Sequence, residues 1–178
     1  MRIIAGSRKG ATIYAPKQAD TRPTGDRVRE AAYNLIGPVD GASVLDLYAG
    51  SGAMGLEALS RGAASAVFVE SDREACRTIQ RNLEKLRLEG AQVVCVDALT
   101  ALAQEASSSR RYDLVLVDPP YRMFSDLQTS LAAYLPAVLG EGGLLVVETS
   151  SREEPELPLP MRTSRRYGSA RLTLFEPA

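Results

Sequence analysis

Asp46-Leu47-Tyr48-Ala49-Gly50-Ser51-Gly52-Ala53-Met54-Gly55 leads from a short apolar run, through closely spaced glycines, into a stretch with helical periodicity. Gly50 and Gly52 let the backbone turn sharply and approach a ligand. In open sheets of parallel strands, ligands bind beyond the carboxyl ends of the strands. Outward from this loop, from about residue 43 onward, aliphatic runs alternate with amphipathic stretches. That is the pattern of an α/β fold, a mostly parallel sheet covered by helices. Strands are expected at 43–48, 64–70, 91–96, 112–118 and 143–149, all apolar on both faces as buried parallel strands are.

Helices are expected between them. One spans 52–61 and is terminated by Gly62. The next opens on a capping box of Ser71 and Glu74 and buries Ala75, Cys76, Ile79, Leu83 and Leu86. A third covers 127–139, bent or broken at Pro136. Residues 107–111 and the proline-rich 153–160 read as loops. A closing antiparallel pair, 162–167 and 170–175, turns through Gly168 and completes a seven-stranded sheet. Such a closing hairpin is a feature of the methyltransferase variant of the doubly wound fold. Ahead of the sheet, 2–16 suggests a small hairpin, and a helix from about 25 to 36 turns Val28, Ala31, Ala32, Leu35 and Ile36 inward. The expected organisation is one domain, 37–178, with an appended N-terminal extension, 1–36, that is not independent.

The chain has 178 residues, 45% hydrophobic and 24% charged, and no stretch approaches the ~18 apolar residues of a membrane span. Arg2, Arg8 and Lys9 interrupt the start, leaving no secretory h-region, so the cytoplasm is the expected location and no membrane partner is expected. There is no histidine, which removes Ser-His-Asp and Cys-His nucleophiles and the usual zinc sets. No metal is expected. Cys76 and Cys95 read as buried small hydrophobes, not as a disulfide. The net charge of −1 conceals an asymmetry: residues 1–36 hold seven basic and three acidic side chains, residues 37–150 nine basic and fifteen acidic. A positive arm on an acidic body suggests a polyanionic partner, or else a solvated basic face.

Gly50, Gly52 and Gly55 satisfy G-x-G-x-x-G, which alone fits a dinucleotide. Asp46 points instead to S-adenosylmethionine, because a carboxylate beside the loop suits a cationic amino-acid portion and not a pyrophosphate. Glu70 suits ribose hydroxyls, and Asp97 an adenine amino group. Tyr48, Ala49, Ser51, Ser71 and Ala98 flank these positions and complete the expected cofactor site. Asp118-Pro119-Pro120-Tyr121 ends the fourth strand, beside the expected topological switch point. Its prolines stiffen the backbone and leave carbonyls to accept. An exocyclic amine is a poor nucleophile; hydrogen bonds to Asp118 and the Pro119 carbonyl would draw it toward tetrahedral geometry. Tyr121 would stack on an unpaired or flipped base. These residues specify a planar amino group; guanine N2, adenine N6 and a glutamine amide all qualify.

The chain resembles the RsmD-type methyltransferases in Arg2 to Gly6, Thr21 to Thr24, Asp26 to Glu30, Asp46 to Gly62, Phe68 to Glu70 and Asp118 to Tyr121. The resemblance implies a Rossmann-like class I methyltransferase fold and transfer from S-adenosylmethionine to a guanine N2 in 16S ribosomal RNA, of the 966 type. It implies a cofactor site at Asp46, Gly50, Gly52, Glu70 and Asp97. It also implies RNA contact by Arg2, Arg8, Lys9, Arg22, Arg27 and Arg29, with a small-subunit particle or assembly intermediate as substrate and a monomeric enzyme. Arg22 and Arg27 have a structural alternative, bracing the arm against the pocket.

Overall fold

The structure, a computed structural model, describes residues 1–17 and 25–178. Seven strands form one sheet: β1 (Ser43–Leu47), β2 (Ser65–Val69), β3 (Ala91–Val94), β4 (Tyr112–Val117), β5 (Leu139–Ser150), β6 (Met161–Tyr167) and β7 (Ala170–Phe175). Their order is β3-β2-β1-β4-β5-β7-β6. The first five run parallel, while β7 is antiparallel to both β5 and β6. Strand order reverses between β1 and β4, which makes the gap above them the switch point where ligands bind in such sheets.

The helices are α1 (Asp26–Ile36), α2 (Ala53–Ser60), α3 (Arg73–Leu86), α4 (Ala98–Ser107) and α5 (Phe124–Val138). Alternation along the strands divides the core in two. Val44, Phe68, Leu114, Leu116 and Val146 pack toward α2, α3 and the N-terminal segment; Leu45, Val67, Val115, Val117 and Val147 pack toward α4 and α5. The N-terminal segment shares that first core through Ile3, Ile13, Ala32 and Tyr33. It is fastened by Glu57 of α2, whose carboxylate accepts from Ile4 N (2.9 Å), Ala5 N (3.0 Å) and Arg61 Nε (2.9 Å). Gly6 lies so close that a Cβ there would fall 1.8 Å from the Ser60 carbonyl oxygen.

Several sequence expectations need correction. Cys76 and Cys95 form a disulfide, with Cα atoms 6.1 Å apart. The first turn of α3 crosses the end of β3 and brings together two residues that each look merely apolar when read alone. β3 is a sheet edge and half exposed, not apolar on both faces, and it ends at Val94. α3 is capped by Asp72, whose carboxylate accepts from Ala75 N at 2.7 Å, not by Ser71. α4 has no counterpart in the expected helices, although Ala98, Ala101 and Leu102 give it a buried stripe. α5 starts three residues earlier than expected and continues through Pro136 to Val138, so the proline does not end it. The small N-terminal hairpin is present as expected: an antiparallel bridge between Arg2 and Thr12, with Ile3 N donating to Ala11 O (2.9 Å), Ile13 N to Met1 O (3.1 Å) and Gly10 N to Ile3 O (2.8 Å), around a short 3-10 turn at Gly6–Arg8.

Candidate active site

Register fixes the site. Leu47 pairs with Val69 and with Val117, and Val117 pairs with Val147. One residue further on, Tyr48, Glu70, Asp118 and Glu148 therefore stand at one level along the carboxyl edge of the sheet. Strand alternation turns Glu70, Asp118 and Glu148 toward the face that carries α2 and the N-terminal segment. Between them opens a cavity of about 540 Å³. It lies within the range of small-molecule and cofactor sites, roughly 300–1,000 Å³.

On the β1–β3 side, the walls are Asp46, Tyr48 to Ser51, Glu70, Ser71, Asp97 and Ala98. Asp46 is buried, and its carboxylate accepts from Gly55 N at 3.0 Å, holding the first turn of α2 onto β1. Burial pushes its pKa up to about 7; the Gly55 bond lowers it and the nearby Glu70 charge raises it. Glu70 accepts from Gly50 N (2.8 Å) and Asp72 N (2.9 Å), so it braces the glycine loop from the neighbouring strand. Asp97 caps α4 by accepting from Thr100 N at 3.1 Å. Of the expected cofactor-binding residues, Gly52 does not line the cavity: it is the left-handed N-cap of α2, with φ +80°, packed against Ile79 and Phe68. Tyr48 also has positive φ, 59°, a conformation costly for a residue with a Cβ. Its hydroxyl is buried without a partner among the described residues, and burial followed by the Asp97 charge raises its pKa to about 12.

On the β4–β5 side, the walls are Asp118 to Met123, Val146 and Glu148. Asp118 is half-buried, and its N–H approaches the Leu47 carbonyl at 3.5 Å, tying the tetrapeptide to β1. Met123 N–H donates to the Pro120 carbonyl, closing a short 3-10 turn at Tyr121–Met123. The Pro120 carbonyl is thus engaged inside the turn, and the carbonyl expected to accept from a substrate amine is that of Pro119. The Tyr121 hydroxyl donates to Glu148 at 2.9 Å. Glu148 was absent from the sequence-derived site. Its signal is an acid directly after an apolar run, 144–147, as Glu70 and Asp118 directly follow theirs, although β5 itself continues to Ser150.

Met1, Ala15 and Pro16 close the rim. Asn82, fully buried on α3, joins this segment to the loop: its side chain accepts from Tyr14 N (2.8 Å) and donates to Tyr14 O (3.0 Å) and Ser51 O (3.1 Å). The cations of the arm are not equivalent. Arg2, Lys9 and Arg27 are exposed, whereas Arg22 lies outside the described residues. Arg8 is turned onto α3, donating to the carbonyls of Leu86 and Arg87 (the latter at 3.1 Å). Arg29 is fully buried, donating to Asp26 (2.9 Å) and the Arg2 carbonyl and lying 3.6 Å from Glu57, so it has no surface to offer an RNA. The sequence reading of Arg29 as an RNA contact is corrected accordingly: a helix buried on its Glu57 side needs a paired cation there. Four body cations missed by that reading, Arg73, Arg77, Arg81 and Lys85, form one i,i+4 row on the exposed face of α3. Arg81 and Lys85 lie 4.4 and 4.6 Å from the exposed ring of Tyr14.

Among the described residues no group of three or more His, Cys, Asp or Glu could hold a metal ion, and no helix is long and apolar enough to cross a membrane. Residues 1–176 match the family described as Conserved hypothetical protein 95. A Haemophilus influenzae protein named Ribosomal RNA small subunit methyltransferase D is 37% identical, over 94% of this chain and 84% of that protein. A hypothetical protein of Thermus thermophilus superimposes with a TM-score of 0.85 at 34% identity, covering 99% of both chains. The T. thermophilus 16S rRNA N2 methyltransferase RsmC, solved with AdoMet and guanosine, shares the fold over 92% of this chain and 45% of that one, with a TM-score of 0.70 at 24% identity. The sheet order with its closing antiparallel hairpin is that of a Rossmann-like class I methyltransferase, and the chain belongs to the Conserved hypothetical protein 95 family, the RsmD family.

Proposed function

We propose that this chain is an S-adenosylmethionine-dependent ribosomal RNA methyltransferase acting on the exocyclic N2 of a guanine in 16S RNA, of the 966 type. The observation that carries the reading is the meeting of the glycine loop and the Asp118-Pro119-Pro120-Tyr121 turn in one cavity at the switch point. The donor set fits the cofactor. A Cβ on Gly50 would meet no protein atom within 4 Å, leaving the loop open toward a ligand, and the Tyr48 hydroxyl is an orphaned buried polar group in the wall. Asp46 supplies buried negative charge for a cationic ligand, Glu70 retains acceptor capacity for ribose hydroxyls, and Asp97 stands at the adenine end. When bound, S-adenosylmethionine supplies a methyl group activated on a sulfonium and leaves as the neutral thioether.

The residues of this chain act on the other partner. Asp118 and the Pro119 carbonyl accept from the two N–H bonds of the amine and orient its lone pair. As nitrogen gains the methyl it becomes cationic, and Asp118 stabilises that charge until one N–H proton is lost. Positioning and electrostatics carry the acceleration, without a strong base. Tyr121, fixed by Glu148, presents its ring for stacking. Arg2, Lys9, Arg27 and the α3 row supply cations for RNA phosphates. Small-subunit RNA in a particle or assembly intermediate is the substrate, and the enzyme acts as a cytoplasmic monomer.

Mass mapping of ribosomal RNA from a strain lacking this protein tests the reading. One guanine without its N2 methyl, restored by the wild-type gene and not by Asp118→Ala, is the expected result. An unchanged RNA would sink it. Calorimetry adds a control: tight binding of NAD with no binding of S-adenosylmethionine would return the glycine loop to a dinucleotide enzyme.

A further inference from the structure

Asp118 directly follows β4 and Glu148 lies on the adjacent parallel strand β5, each one residue beyond the Val117–Val147 pair, on the same face and in the same cavity, and Tyr121 is hydrogen-bonded to Glu148. Two carboxylates side by side at a base pocket present only acceptors when ionised. We infer that Glu148 is the specificity-determining residue of this site, accepting the N1–H of the target base while Asp118 accepts from its amino group, and so selecting guanine over adenine. The inference rests on the methyltransferase reading above and deepens it.

The chemistry is one of complementary edges. Guanine carries its N1–H and its N2 amino group next to each other, two donors facing the same way, and a pair of neighbouring carboxylates matches both. Adenine has an amino group too, but the adjacent ring nitrogen is an acceptor, so its lone pair would face the Glu148 carboxylate. A site that hydrogen-bonds a donor rejects an analogue lacking it because its own polar groups are left unpaired. The Tyr121 hydroxyl occupies one of the about four lone-pair positions that an ionised carboxylate offers. That contact also sets the carboxylate at the edge of the ring proposed to stack on the base. Asp118 alone does not distinguish the two purines, because both present an NH2 to it. The choice falls to the neighbour.

2-Aminopurine probes the contact: it keeps the amino group of guanine and replaces N1–H by a bare nitrogen, and because it also lacks O6 the comparison with a Glu148 variant assigns the effect. Methyl transfer is measured on small-subunit particles reconstituted with ribosomal RNA that carries guanine or 2-aminopurine at the position that the wild-type protein methylates. The wild type is expected to prefer guanine by about 30-fold or more in kcat/KM, a charged hydrogen bond's worth of discrimination at a half-buried site. Glu148→Gln, whose amide can turn either its oxygen or its nitrogen to the base, is expected to bring the preference within about threefold. Tyr121→Phe removes the hydroxyl but keeps the carboxylate, and is expected to keep most of the preference at a lower rate. The preference is a ratio within each protein, so partial misfolding of a variant cancels from it. A wild type that accepts both bases alike, or a Glu148→Gln that keeps the wild-type preference, overturns the role of Glu148 alone. Absence of any transfer to guanine by the wild type overturns the methyltransferase reading with it.

Discussion

The two sides of the cavity are built differently. Above β1 to β3, every acid already holds the protein's own backbone: Asp46 accepts from Gly55 N, Glu70 from Gly50 N and Asp72 N, Asp97 from Thr100 N. Above β4 and β5, Glu148 accepts from a side chain, Tyr121, and two prolines stiffen the chain between Asp118 and Tyr121. The first side is assembled by the fold and the second is presented by it. Loss of an acid on the first side should therefore disturb structure and cofactor affinity together. Loss of one on the second should leave structure intact and remove chemistry or selectivity.

Asp118→Ala puts the largest number on this contrast. Removing the group aimed at developing charge costs roughly 10² to 10³ in rate in comparable electrostatic sites, and a similar loss of single-turnover methyl transfer is expected here. The melting temperature and the calorimetric affinity for S-adenosylmethionine should stay near wild type. A variant that lost cofactor affinity to the same degree would place Asp118 in the first class of acids.

Gly55→Ala attacks the opposite side without touching a charge. A Cβ at this helix position would lie 2.4 Å from Phe68 Cε1 and 3.0 Å from Asp46 Oδ2. Overpacking of this kind costs about 1–3 kcal/mol. Denaturant melts should show that loss, with cofactor affinity falling about tenfold or more as the loop moves off Asp46. An undisturbed loop would mean that Gly55 is a convenience of packing only.

The same contrast explains what was legible in the sequence. The glycine loop, the Asp-Pro-Pro-Tyr turn and the acids after β2 to β4 are local patterns, each contained in ten residues or fewer, and the five parallel strands follow from short apolar runs. What was not legible depends on register or on packing between distant segments. Glu148 enters the site only because β5 pairs with β4 so as to bring it level with Asp118. Arg29 sits on a helix whose apolar positions are legible, but its burial follows from Glu57, 28 residues later, coming to lie against it. The Cys76–Cys95 bond, closed across 19 residues, belongs to the same class. α4 was missed for a different reason: its small alanines bury a narrow stripe that stands out little from the surrounding sequence.

Asp46 gives the comparison a pH dependence. Its folded pKa, about 7, lies above the ordinary value of 3.8 because burial penalises the charge. The fold thus favours the protonated form, so the stability associated with this group is complete below about pH 4 and is lost as pH rises through about 7. Asp46→Asn cannot ionise, so thermal melts of variant and wild type should converge toward acid and shift in the variant's favour above neutrality. Cofactor binding should run the other way. A cationic ligand favours the ionised carboxylate, so calorimetric affinity of the wild type should rise about tenfold between pH 6 and pH 8, with proton release near pH 7. A flat affinity profile would confine Asp46 to holding α2.

The smallest effect separates two roles of a single side chain. Asp97 is exposed and caps α4, and a cap is worth about 1 kcal/mol, so Asp97→Ala would lower stability and affinity together and decide nothing. Asp97→Ser is the discriminating change. Serine is as good an N-cap as aspartate, so its hydroxyl can take over the bond from Thr100 N, while the shorter side chain no longer reaches toward a ligand. Chemical denaturation should then agree with wild type to within about 0.5 kcal/mol. Affinity for S-adenosylmethionine should fall about fivefold, near 1 kcal/mol, through loss of the acceptor for the adenine amino group. Unchanged affinity would reduce Asp97 to its cap, and the first side of the cavity would then hold its cofactor through Asp46, Glu70 and the loop backbone alone.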